Sequence, residues 1–86
     1  MVFHYPAQDH RDELINGMRE MADFFHGKPG FIEAGAWVED GSDRVTGISA
    51  WESREAFFAT GITFGGADEV PAGETKPRER FFLEGA

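Results

Sequence analysis

Apolar residues recur along this chain with two different periods. Across residues 8–25, Leu14, Met18, Met21 and Phe25 follow at intervals of four, three and four, with Ile15 and Ala22 widening the stripe. That spacing lays one apolar face along an α-helix. Asp9, Asp12 and Glu13 fall in its first turns, where negative charge complements the helix dipole, while His26 and Lys28 stand at its C-terminal end. Gly27 suits a C-cap, and Pro29-Gly30 forces a turn.

Across residues 31–39 the period falls to two, with Ile32, Ala34, Ala36 and Val38 on one side and Phe31, Glu33, Gly35, Trp37 and Glu39 on the other. Asp40-Gly41-Ser42-Asp43 supplies hairpin turn chemistry, and residues 44–51 return as an antiparallel strand with Thr46, Ile48 and Ala50 opposite Val45, Gly47, Ser49 and Trp51. Ser53 then caps a short helix over residues 54–60. Val2-Phe3-His4-Tyr5, stopped by Pro6, reads as a brief first strand, and residues 78–84, centred on Phe81, Phe82 and Leu83, as a last one. Residues 61–77 lose all periodicity among Gly65-Gly66, Pro71, Gly73 and Pro77, as a solvated connector or a loop over a site would.

The order strand, helix, strand, strand, helix, strand predicts an α+β, ferredoxin-like βαββαβ antiparallel sheet with two helices on one face. The aliphatic rows Ile32, Ala34, Ala36, Val38 and Thr46, Ile48, Ala50 are expected under the helices. Phe31, Trp37, Val45 and Trp51, mixed with Glu33 and Ser49, are expected on the open face. So aromatic a surface marks an interface or a pocket, and pairing of two sheets into a homodimer would cover it.

Composition narrows the function classes. With 86 residues the chain suits one domain over 1–86, of a size whose stability gains from a partner. A formal net charge of -8 repels a phosphate backbone, so no nucleic acid partner is expected. No apolar run reaches the roughly 20 residues of a membrane span and no signal peptide is visible, which predicts no membrane partner and a cytoplasmic protein. The chain has no Cys, which removes disulfides, thiolate nucleophiles and cysteine-held metals.

Pro29-Gly30-Phe31 at the start of the second strand, and Trp51-Glu52-Ser53-Arg54-Glu55-Ala56-Phe57 between the third strand and second helix, resemble the antibiotic biosynthesis monooxygenase family. The resemblance spans residues 4–60, with Arg80-Phe81-Phe82 suiting the family's last strand. It implies a dimeric α+β barrel and a monooxygenase acting without metal or prosthetic group on a small aromatic or quinol-like substrate. Such a site needs a dry aromatic pocket, a proton acceptor and a means of stabilising an oxyanion. Among haem-degrading relatives the functional set is an Asn on the first strand, a Trp ending the third and a His on the second helix. Trp51 fits that Trp, but no Asn stands in the first strand and no His follows Trp51. Haem binding is accordingly the third reading, behind a non-catalytic dimeric module for ligand binding or assembly.

Trp51 and Trp37, placed on one face, would stack on a flat ligand or fill a dimer core. Phe31 and Ser49 share that face, Ser49 as a hydrogen-bond donor or a mere spacer. His4 and Tyr5 point to opposite sides of the first strand, so one of them can face a cavity and move a proton. Glu33, set among Phe31, Gly35 and Trp37, is a second proton acceptor or a rim residue paired with Arg44 or Arg80. His10 and His26 are too far apart on the helix to form an i, i+4 metal pair, and neither a metal site nor a cofactor is expected.

Overall fold

The computed structural model describes residues 1–63 and 65–85. Its elements are β1 (Val2–His4), a 3-10 turn over Gln8–His10, α1 (Arg11–Phe25), β2 (Phe31–Val38), β3 (Val45–Trp51), α2 (Arg54–Phe58) and β4 (Glu79–Arg80). The strands lie in the order β2-β3-β1-β4, and every neighbouring pair is antiparallel. This α+β sheet with two helices is compatible with a ferredoxin-like fold. No helix among the described residues is long and apolar enough to cross a membrane.

Local chemistry explains the punctuation. Gly27 and Gly30 adopt φ of 84° and 81°, the left-handed conformation that lets the chain leave α1 and enter β2. The hairpin turns at Gly41, with Glu39 N–H donating to the Arg44 carbonyl at 3.2 Å and the Arg44 guanidinium clasping the Glu39 carboxylate through two contacts of 2.7 Å. Ser53 caps α2 as expected, its Oγ accepting from Ala56 N–H at 3.1 Å.

The faces of the sheet differ from expectation on β3. The hairpin pairs Val38 with Val45, Ala36 with Gly47 and Ala34 with Ser49. Even positions of β2 thus meet odd positions of β3, and paired residues project to the same side. That side lies under the helices: Phe25 of α1 packs edge to face on Trp51 with centroids 5.0 Å apart, and Met18 lies over Gly47. Ala34 and Ala36 therefore face the helices as predicted, but with Val45, Gly47, Ser49 and Trp51 rather than with Thr46, Ile48 and Ala50. A register shift between Phe31 and Glu33 also brings Phe31 opposite Trp51, on the helix side. Glu33 and Trp37 remain on the open face, so Trp37 and Trp51 lie on opposite sides of the sheet. Ile32, expected beneath the helices, is 60% exposed at the bulge.

The last strand is shorter than predicted because its partner runs out. β1 pairs with β4 only through Val2 with Arg80 and Phe3 with Glu79, and Met1 closes the ladder against Phe81 by N–H to O contacts of 2.8 and 2.9 Å. Phe81, Phe82 and Leu83 continue as exposed chain without a strand to join. Among the described residues, the buried hydrophobic side chains are Phe25 and Val45, and Val45 is fully enclosed.

Candidate functional site

An open groove of about 1370 Å³ runs between α1, the helix-facing side of the sheet and residues 81–85. Its two ends have different chemistry.

One end is aromatic. Trp51 lies edge to face with Phe25, Phe31 and Phe57, at centroid separations of 5.0, 5.2 and 5.7 Å. These rings come from α1, β2 and α2, so Trp51 is the point where both helices are fastened to the sheet. Its Nε1–H donates to Ser49 Oγ at 3.0 Å, folding the indole back along β3. Trp51 and Ser49 both line the groove, Ser49 with its hydroxyl hydrogen still available to a ligand.

The other end is polar and is built around His4, which is 8% exposed. Its partner on β3 is Val45, and its Nε2 reaches toward Gly47, where an added Cβ would lie 3.8 Å from it. Behind the imidazole stands Glu74, whose Oε1 is 3.6 Å from His4 Nδ1. That separation is longer than a hydrogen bond, and Nδ1 is buried without a hydrogen-bond partner. Glu74 Oε1 accepts from Tyr5 N–H at 3.2 Å, while Oε2 receives Arg78 Nε at 2.7 Å and Nη2 at 2.6 Å. Burial foremost, then the Arg78 guanidinium, pushes the His4 imidazole down to about 4, with Arg80 acting in the same sense and Glu74 opposing. At neutral pH His4 is uncharged, and the tautomer carrying its proton on Nδ1 turns the Nε2 lone pair toward the groove.

Glu74 reaches this position because the long segment before β4 is strapped to the end of β1. Ala7 N–H donates to the Gly73 carbonyl at 2.8 Å and Thr75 N–H to the Tyr5 carbonyl at 2.8 Å, flanking a bridge between Pro6 and Glu74. This part of the connector is a fixed wall of the site.

Of the residues singled out from sequence, His4, Ser49 and Trp51 come together on the groove, and Phe31 buttresses Trp51 from beside it. Tyr5 does not join them: it points away from His4, and its hydroxyl donates to the Glu79 carboxylate. Glu33 and Trp37 lie on the open face, with Trp37 53% exposed and its indole folded over Gly35. The sequence reading missed Glu74 and Arg78, and named Arg80 only as a partner for Glu33 and as part of the last strand. Glu74 stands alone in an aperiodic stretch and carries no signal, whereas Arg78 and Arg80 flank Glu79 at strand alternation and were assignable to one face. Comparison of the chain with family models, curated proteins and solved structures gives no match.

Proposed function

We propose that the groove binds a small, flat aromatic molecule carrying an ionisable oxygen, and that His4 accepts a proton from it. The observation that carries this reading is the continuity of one groove from the aromatic cluster at Trp51 to a buried, neutral imidazole at His4. Clefts lined by apolar and aromatic side chains with a few fixed polar groups are the usual form of small-molecule sites. Arg78 and Arg80 line the same end, where their charges stabilise the ligand anion that proton loss leaves.

The reaction that fits is oxygenation without a metal or prosthetic group, in the manner of the antibiotic biosynthesis monooxygenases that the Trp51 to Phe57 stretch resembles. Loss of a proton to His4 leaves an electron-rich carbanion that reacts with dioxygen. One oxygen atom becomes the carbonyl of the product and the other leaves as water, the substrate methylene supplying four electrons and both hydrogens. Trp51 and Ser49 hold the ring and its substituent, and His4 is the catalytic residue.

Oxygen uptake with anthrone and quinol compounds tests the reading. Uptake above the spontaneous rate, insensitive to chelator and at least tenfold lower in His4→Gln and Trp51→Ala, is expected. Background rates across the panel, or full activity in His4→Gln, would reject it.

A second reading, assembly through the open face, is favoured by its own observation. Phe3, Trp37 and Ile48 project from that face, and Trp37 and Ile48 are exposed. Two such faces packed together would form a homodimeric barrel and bury this surface. The two readings are compatible, since the groove lies on the other side of the sheet.

A further inference from the structure

Midway between its two ends the groove passes over Gly47. The helix-facing side of β3 runs Val45, Gly47, Ser49, Trp51, so Gly47 stands between the residue paired with His4 and the aromatic cluster. Two atoms border the point where a Cβ of Gly47 would lie: Met18 Cε at 2.8 Å and His4 Nε2 at 3.8 Å. The methyl end of Met18 is thus set over β3 beside the imidazole nitrogen that turns toward the groove. From Ser49 to Gly47 the strand advances about 7 Å. One ring seated between Ser49 and Trp51 ends before Met18, whereas three linearly fused rings run on past it.

We propose that Met18 is the specificity-determining residue of the groove: its side chain stands between the aromatic end and His4, and a ligand reaches the imidazole only if it is long enough to push that side chain aside. This rests on the groove being a binding site and adds what selects among the molecules that enter it. Methionine suits the task, because its unbranched thioether moves between staggered rotamers at small cost, where a β-branched residue on a helix would be held in one. The helix also provides room for the movement. Gly17 precedes Met18 in the middle of α1, where glycine weakens a helix relative to alanine. Its φ is not positive, and a Cβ there would meet nothing within 4 Å, so neither backbone conformation nor packing calls for glycine. Both residues line the groove, and open space therefore lies beside Met18 on the same wall.

The same geometry dictates what substitutions do. Gly47→Ala adds a Cβ that crowds Met18 Cε and itself comes into contact with His4 Nε2, which leaves less room in front of the imidazole. Met18→Ala removes the thioether, and in the same chain it removes the crowding. The two substitutions oppose one another at His4, whereas two that merely loosen the fold would add.

The experiment measures carbethoxylation of His4 by diethyl pyrocarbonate at neutral pH, read by mass spectrometry against the exposed His26 of the same chain. Relative to His26, His4 is expected to react about fivefold faster in Met18→Ala, the change expected when a side chain that must leave its rotamer is removed. It should react more slowly in Gly47→Ala, and at least as fast as in the wild type when both substitutions are present. Phenol and 2-anthrol, a linear three-ring phenol, are then added at concentrations that saturate their quenching of tryptophan fluorescence. In the wild type 2-anthrol should protect His4 and phenol should not, while in Met18→Ala both should. Unchanged His4 reactivity in Met18→Ala, or equal protection by the two phenols in the wild type, would overturn the role of Met18 and leave the groove as a binding site. Quenching by neither compound at millimolar concentration would overturn both.

Discussion

His4 is the residue at which the fold meets the chemistry proposed for the groove. It is buried at the end of a three-residue strand, and burial foremost lowers its proton affinity from 6.5 to about 4. A folded-state value below the unfolded one means that the unfolded chain binds more protons between the two. Stability contributed by neutral His4 is thus fully present above about 6.5 and is lost as pH falls toward 4. The full difference is worth about 3 kcal/mol as an upper bound. Urea unfolding from pH 7 to pH 4 should show a steeper loss for the wild type than for His4→Gln, the difference between the curves isolating His4 from other acid-titrating groups. Parallel curves would mean that His4 is solvated in the folded protein. That only one of His4 and Tyr5 can face a cavity was legible from strand alternation alone. Which one does so was not, because the choice depends on Glu74, which stands 69 positions beyond Tyr5.

At the scale of elements, the helices and the hairpin were plain in the periodicity, and the errors lie in how they meet. The aliphatic rows of β2 and β3 each looked like a helix-facing surface. A hairpin can bring them to one side only if its loop pairs even positions with even positions, and the turn closed by Glu39 and Arg44 does the reverse. The result places Gly47 and Ser49 beneath α1 where Thr46, Ile48 and Ala50 were expected, and these small residues line the groove. The segment before β4 shows the same dependence on distant contacts: its lack of periodicity suggested a solvated connector or a loop over a site, and Glu74 ties it to β1. Glu74 has a side chain 1% exposed and serves both a backbone N–H and a guanidinium. Glu74→Ala leaves both without a partner, and should cost about 3 kcal/mol in chemical denaturation. Glu39→Ala, which breaks an equally short ion pair at the exposed hairpin, should leave the midpoint unchanged. Equal effects at the two sites would refute the view that Glu74 is the clasp of the strap.

The whole molecule has a thin core. Phe25 and Val45 are its buried hydrophobic side chains among the described residues, while Trp37 and Ile48 stand exposed on the open side of the sheet. A domain of this length hides a modest share of its surface, and area added by a second copy counts heavily toward its stability. If the open faces pair, the stability of each chain is linked to association, and the melting temperature must rise with protein concentration. We expect a rise of several degrees per hundredfold increase in concentration, with sedimentation showing a dimer. Trp37→Glu, by placing a charge on the paired faces, should give a monomer whose melting temperature no longer depends on concentration. Because Trp37 lies on the face opposite Gly47 and Ser49 and does not line the groove, oxygen uptake per folded chain should survive the substitution. A melting temperature independent of concentration in the wild type would exclude the pairing. The exposed Trp37 and Ile48 would then have to be explained by another partner, while the groove, on the opposite side of the sheet, would stand or fall on its own tests.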